Sequence, residues 1–238
     1  MGWTRPEHLA FPQVWLTFEA KDPDTGEIVK YRVQDLPEDR FDETQHLFAT
    51  IFIRDETMCK SLDLISETNF QGGSVWGEIL NQRISVACFK EGSDELCGIN
   101  ILEVLEKDAK EPAEEIKNEK VKKLMKAMDF LKAKADPYNH HQVDKYLHAM
   151  GLLVLPKYRG VGLSTEILKA RVPLGKALGL KLTGTVFTGV ASQRTAAKAG
   201  FVEDLDVPYP DLGKYEPFVE FPNVSAPSVK FMSLRIME

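Results

Sequence analysis

The hydrophobic positions of this chain fall into two rhythms. Apolar and β-branched runs at 14–19 and 28–33 flank the turn Asp22-Pro23-Asp24-Thr25-Gly26, which predicts a hairpin at the front. After Pro37 the spacing lengthens. Leu47, Phe48, Ile51 and Phe52 recur on one face of a helix that runs to Asp55-Glu56. Strands return at 83–90 and 96–104, joined by the turn Glu91-Gly92-Ser93-Asp94. A long charged helix is predicted over 110–134, with Val121, Leu124, Met125, Met128 and Leu131 as its apolar stripe. Asp136-Pro137-Tyr138-Asn139 stops it. A nearly unbroken apolar strand covers 146–155, and a helix over 163–178 follows it, with Pro173 predicted to kink or shorten that helix. Strands at 181–187, 201–207 and 229–236 complete the pattern. The fold class is therefore α/β, with a mixed, mostly antiparallel sheet flanked by helices.

Composition narrows the class without naming a function. At 238 residues the chain is long enough for one large domain over 1–238, with 1–27 as an N-terminal extension or hairpin. No run approaches the roughly 20 apolar residues that span a membrane, and Met1–Pro6 carries no apolar signal core. Cys59, Cys88 and Cys97 are an odd set without metal spacing, as a cytoplasmic protein would have. A formal charge of −6 argues against a nucleic-acid partner. No long exposed apolar stripe stands out, so a monomer is expected. His140, His141 and His148 lack a cysteine or carboxylate at ligand spacing, so no metal is expected.

The chemistry concentrates at Leu152-Leu153-Val154-Leu155-Pro156-Lys157-Tyr158-Arg159-Gly160-Val161-Gly162-Leu163-Ser164. An apolar strand runs through a proline into a basic, glycine-spaced turn, and a helix opens at once. The free N–H groups of a first helical turn, its dipole and side-chain-free glycines together suit an anion such as a phosphate. A P-loop requires Gly-Lys-Ser/Thr, but Leu163 and Ser164 follow Gly162; a dinucleotide turn requires a third glycine where Thr165 stands. On these residues alone an ordinary glycine turn remains open as well.

The run Lys157-Tyr158-Arg159-Gly160-Val161-Gly162 resembles the acetyl-CoA motif of the GNAT N-acetyltransferase superfamily, written Q/R-x-x-G-x-G/A, with Lys157 departing from the usual Gln or Arg. Two further landmarks follow the same family. Thr188-Gly189-Val190-Ala191-Ser192, running on to Gly200-Phe201, is similar to its second CoA-side element, and the helix ending in Asp55-Glu56 is similar to the insect arylalkylamine N-acetyltransferase branch. The resemblance covers most of the chain from about residue 28. It implies a central strand splayed from its neighbour, acetyl-CoA as cosubstrate and a small primary amine as acceptor.

The residue roles follow from that resemblance and from the reaction's demands. A primary amine with a pKa near 10 is only about 0.1% neutral at pH 7, so a general base is needed. Glu56 corresponds to the catalytic acid of the insect branch. A helix C-terminus and neighbouring Asp55 would both push its pKa upward. Backbone N–H groups of the splayed stretch, Leu152, Leu153 and Val154, would meet the thioester oxygen. Lys157 to Ser164 would cradle the CoA phosphates. Many family members use a tyrosine as the thiolate's acid where this chain has Ala196. Ser192 and Thr188 occupy the insect branch's hydroxyl positions instead, and each is equally a candidate helix cap. Two other functions stay open: an acyl-CoA-binding protein with little turnover, and a protein or peptide N-acetyltransferase.

Overall fold

A computed structural model describes residues 3–66, 73–107, 109, 118–216 and 219–237, leaving the side chains of 73–75 aside. Strands β1 (Val14–Lys21) and β2 (Ile28–Asp35) form the front hairpin. Lys90 Nζ, 2.5 Å away, and the Asp24 and Thr25 backbone N–H groups all donate to the Asp22 carboxylate, which pins the connecting turn. Behind Pro37 a 3₁₀ turn (Glu38–Arg40) leads into α1 (Phe41–Leu47), a π-helical turn (Phe48–Phe52) and α2 (Ile53–Asp55). The stretch 57–80, to which the hydrophobic rhythm assigned no element, contains α3 (Thr57–Ser61) and α4 (Gly73–Leu80).

Strands β3 (Val86–Lys90) and β4 (Leu96–Glu106) follow, then α5 (Glu119–Ala135), α6 (Pro137–His141) and β5 (Lys145–Val154). The predicted start of the long helix, 110–117, lies outside the described residues. Asn118 caps α5 by accepting from the N–H groups of Lys120 and Val121. Helices α7 (Leu163–Lys169) and α8 (Arg171–Ala177) divide the predicted helix at Ala170. Pro173 is the cause: it has no N–H for the carbonyl of Lys169 and its ring crowds that oxygen. The chain closes with β6 (Leu182–Phe187), α9 (Val190–Lys198), β7 (Val202–Pro208), α10 (Tyr209–Leu212) and β8 (Ser228–Arg235). The proline-containing stretch Tyr209–Leu212 forms α10.

The eight strands order as β1-β2-β3-β4-β5-β6-β8-β7, antiparallel except between β5 and β6. One core lies under α7 and α8, with Val33, Leu102, Leu147, Ile167 and Leu174. A second lies under the first helices and α4, with Phe48, Trp76, Leu80, Ile99 and Leu153. At the N-terminus Arg5 straps across the sheet end: Nη1 and Nη2 donate to the two oxygens of the buried Asp35, which also accepts from Trp15 Nε1 at 2.7 Å.

Candidate active site

The two sides of β5 differ sharply. Against β4 it is registered from Gly98–Val154 to Glu106–Lys145; against β6 the ladder holds one pair, Leu147 with Thr183. Thr183 Oγ1 donates to the Leu147 carbonyl at 2.9 Å, and Thr185 Oγ1 to that of Ala149 at 2.8 Å. Beyond them the strands part, opening a seam. Leu155 N–H donates to the Cys97 carbonyl, which sets the phase of the β4–β5 ladder. Alternate residues of an antiparallel strand face its partner, so Leu153 faces β4 while the N–H groups of Leu152 and Val154 face the seam. The Leu153 side chain is core; only its neighbours offer backbone there.

The loop after β5 has the predicted shape but a different charge. Pro156 starts a 3₁₀ turn (Pro156–Tyr158), and Gly160 and Gly162 have φ of 82° and 91°, a region L side chains seldom enter. The N–H groups of Gly160, Val161, Gly162, Leu163 and Ser164 donate to no carbonyl among the described residues. Tyr158 and Leu163 turn their side chains into the core, leaving backbone as what they present. Lys157 does not stand free: its ammonium bridges Asp24 and Glu95 at 2.8 Å each, and those carboxylates hold it well above the usual lysine range. Arg159 pairs with Asp55 at 2.8 Å and donates from Nε to the Val154 carbonyl at 3.0 Å. The phosphate-facing charge expected of these two residues is thus largely matched within the protein.

Glu56 sits at the mouth of the seam and ends α2 as its C-cap, where the helix-end argument put it, but its carboxylate serves the next helix. The helix stops at Asp55, and Glu56 is extended (φ −68°, ψ 135°) and caps α3. Its carboxylate accepts from Met58 N–H at 3.1 Å and Cys59 N–H at 2.7 Å, facing the positive end of a helix instead of the negative one. Neighbouring Asp55 is turned toward Arg159 and Arg54. Burial works against the Asp55 charge, but Arg159 and Arg54 outweigh it and hold its carboxyl below the usual range.

Thr188 comes from the far side of the seam, just after β6, and its hydroxyl donates to Glu56 Oε1. Its backbone carbonyl accepts from the buried Tyr209 hydroxyl at 2.7 Å. Two of the three expected catalytic residues therefore meet directly. Ser192 is occupied elsewhere, donating to the Gly189 carbonyl at 2.9 Å and accepting from the Gly189 N–H at 3.3 Å, as a residue in the first turn of α9. The capping arrangement thus belongs to Ser192 and the carboxylate contact to Thr188. Cys59 also lies against Glu56; burial first, then the Glu56 charge, push its thiol well above the ordinary range. A thiol held neutral is a poor nucleophile.

Several groups escaped the sequence reading. Tyr209 stands beside prolines in a stretch with no periodicity to mark it. Arg171 left a clearer signal, a charged residue in step with Ile167, Leu174 and Leu178 on an apolar stripe, and it is 1% exposed. Asn100, which accepts from Arg171 Nε, and Gly151 carried no local mark. His148 is buried between Glu103, 2.9 Å from Nδ1, and Thr185; burial pushes its imidazole below the usual histidine range despite that carboxylate. The carboxylate missing from the histidine spacing is Asp204. Its Oδ2 is 2.8 Å from His141 Nε2, and ligating atoms of His140, His141 and Asp204 lie within 4.8 Å of one another, away from His148. No helix among the described residues is long and apolar enough to cross a membrane.

Known structures resemble this one over nearly its whole length. A yellow fever mosquito (Aedes aegypti) protein assigned as arylalkylamine N-acetyltransferase 7 is 40% identical, covers 99% of this chain and 100% of its own, and superposes with a TM-score of 0.94. Arylalkylamine N-acetyltransferase 2 of the same mosquito is 22% identical over 87% of this chain and 99% of its own, with a TM-score of 0.73. YncA of Salmonella typhimurium, assigned as an acetyltransferase and solved with its cofactor acetyl-CoA, shares the fold at 11% identity, 87% and 95% coverage and a TM-score of 0.51. No protein-family model matches the chain, and no curated protein matches it either.

Proposed function

Because this chain belongs to the GNAT N-acetyltransferase superfamily, in its insect arylalkylamine N-acetyltransferase-like branch, we propose that it moves an acetyl group from acetyl-CoA to a small primary amine. Membership makes it an acyltransferase; the acceptor, the order of events and the residue roles are the proposal. The observation that carries it is the contact of Glu56 with Thr188 across the mouth of the β5–β6 seam. It supports a carboxylate working beside a thioester that enters that seam.

In this reading the free N–H groups of 160–164 receive the pyrophosphate, and the N–H groups of Leu152 and Val154 face the pantetheine and the thioester oxygen. Glu56, fixed in one orientation by the Met58 and Cys59 N–H groups and by Thr188, takes the ammonium proton, directly or through a water. The amine nitrogen then attacks the carbonyl carbon. As the tetrahedral intermediate collapses, the nitrogen sheds its second proton and the departing CoA thiolate takes one up; Ser192, once turned from the Gly189 carbonyl, is the hydroxyl proposed to relay it. The raised thiol of Cys59 favours direct attack in a ternary complex over a covalent acyl-cysteine.

The test is release of CoA thiol from acetyl-CoA across a panel of arylalkylamines, polyamines, agmatine and short peptides. Amine-dependent release with intersecting initial-velocity lines is expected. Tight acetyl-CoA binding without release for any acceptor overturns the transferase reading in favour of a binding protein, and release only with peptides moves the acceptor class.

A further inference from the structure

Where β5 leaves β6 it carries a bulge: Ile101 pairs with Gly151 and Leu102 with Ala149, leaving Met150 as the extra residue. Gly151 is held there from both faces of the sheet. On one face Phe48 and Phe52 stack at 4.8 Å and close over it, so that a Cβ at Gly151 would lie 2.8 Å from an atom of each ring. From the other face Asn100 Nδ2 donates to the Gly151 carbonyl at 2.7 Å. Asn100 Oδ1 accepts from Arg171 Nε at 2.8 Å. A guanidinium has donors and no acceptor, so Arg171 can bond only the amide oxygen. The Asn100 amide is thereby fixed in the one orientation that points its NH₂ at Gly151.

Arg171 is an unusual residue to bury for stability. It has no carboxylate partner among the described residues, its Nη1 is buried without a hydrogen bond, and its guanidinium carbon lies 5.6 Å from the centre of the Phe201 ring. Burial lowers the guanidinium to about 9, still protonated at neutral pH. What the arrangement controls is a single peptide unit. The Gly151 carbonyl and the Leu152 N–H belong to the same plane and point in opposite directions. A hydrogen bond into that carbonyl fixes the plane and polarises its N–H, and that N–H faces the seam.

We propose that Arg171 and Asn100 are positioning residues for acyl transfer, aiming and polarising the Gly151–Leu152 peptide so that its N–H meets the oxyanion that forms on the thioester carbonyl. This rests on the transferase reading above. The relay acts on the transition state more than on the bound cosubstrate, since charge grows on that oxygen only as the amine attacks.

Asn100→Asp is the discriminating variant. It keeps an acceptor for Arg171, and gives it a counter-charge, but offers no donor to Gly151. Its kcat is expected to fall about 10- to 100-fold, with the acetyl-CoA Kd and melting temperature little changed. Arg171→Met, which frees the amide to flip, is expected to show the same split, and Arg171→Lys to recover part of the rate. A kcat for Asn100→Asp within about threefold of the parent, or a loss carried wholly by acetyl-CoA Kd, overturns the relay. Should the parent protein turn over no amine, the transferase reading fails by itself. The relay is then judged by the Leu152 amide ¹H–¹⁵N resonance, which shifts in Asn100→Asp if the relay exists and stays in place if it does not.

Discussion

Arg5 and Arg171 are both buried arginines, and they are built for opposite ends. Arg5 grips both oxygens of Asp35 and the carbonyls of Ala10 and Arg83, and its guanidinium lies over the Phe11 and Trp15 rings. Among the described residues Arg171 hydrogen-bonds the neutral Asn100 and lies over the Phe201 ring. The first closes the sheet end as a paired charge; the second leaves donor capacity unused beside a strand that must present its backbone to a ligand. An unpaired buried donor costs about 1–3 kcal/mol, more when charged. Arg5 Nε is also buried without a hydrogen bond, so the contrast is one of counter-charge: Arg5 has a carboxylate partner, and Arg171 has none among the described residues.

The comparison breaks most visibly at Arg5. Arg5→Met strands a buried carboxylate and is expected to cost about 3–5 kcal/mol in urea unfolding, with turnover per folded molecule unchanged; a stable Arg5→Met protein would erase the contrast with Arg171. Gly151→Ala attacks the seam instead. Its methyl meets both phenyl rings, so about 1–3 kcal/mol of overpacking is expected, and here turnover should fall beyond what instability explains. Phe52→Leu in the same chain, which opens space on one side, should return part of that rate. A smaller effect is expected from Thr188→Val, which removes the hydroxyl bonded to Glu56 Oε1 while keeping the shape. About a tenfold loss in kcat with little change in melting temperature is predicted, and an unaffected kcat would make that contact structural only.

The smallest effect is an acid slope at the front hairpin. The Lys90 ammonium, first, and then the turn's N–H groups hold the Asp22 carboxyl down to about 2 from an ordinary 3.8. A depressed carboxyl stabilises the fold fully above its unfolded pKa and loses that contribution as pH falls through the folded one. Unfolding scans should therefore show stability declining between about pH 4 and pH 2, with a shallower decline in Lys90→Met. Equal slopes would assign the acid sensitivity to other carboxylates.

The sequence made the frame legible wherever the signal was local. The Asp22–Gly26 turn between apolar runs, Pro37 before the amphipathic helix, and Gly160 and Gly162 after an apolar strand each state their geometry within a few residues. Glu56 was legible as a residue and not as an environment. Nothing in Glu56-Thr57-Met58-Cys59 announces that the chain restarts a helix there, so the carboxylate was assigned to the wrong helix end. The contacts that assemble the site join distant segments: Glu56 with Thr188, Lys157 with Asp24, Asn100 with Arg171. No periodicity reports such pairs. Arg171 alone left a trace, a charge at a core position of its helix.

The account stands on Glu56 acting as a base at the mouth of the seam, and the most direct measurement is the pH–rate profile of Glu56→Gln beside the parent protein, with an amine the panel has shown to be accepted. Gln keeps an acceptor oxygen for the Met58 N–H and Thr188 and loses the one facing the Cys59 N–H, so the fold and acetyl-CoA binding should survive with one cap bond fewer. The predicted result is a kcat lowered about 10²- to 10⁴-fold at neutral pH, recovering as alkali supplies neutral amine. A Glu56→Gln enzyme with the parent's rate and pH profile would contradict the account and send the search for the base elsewhere along the seam.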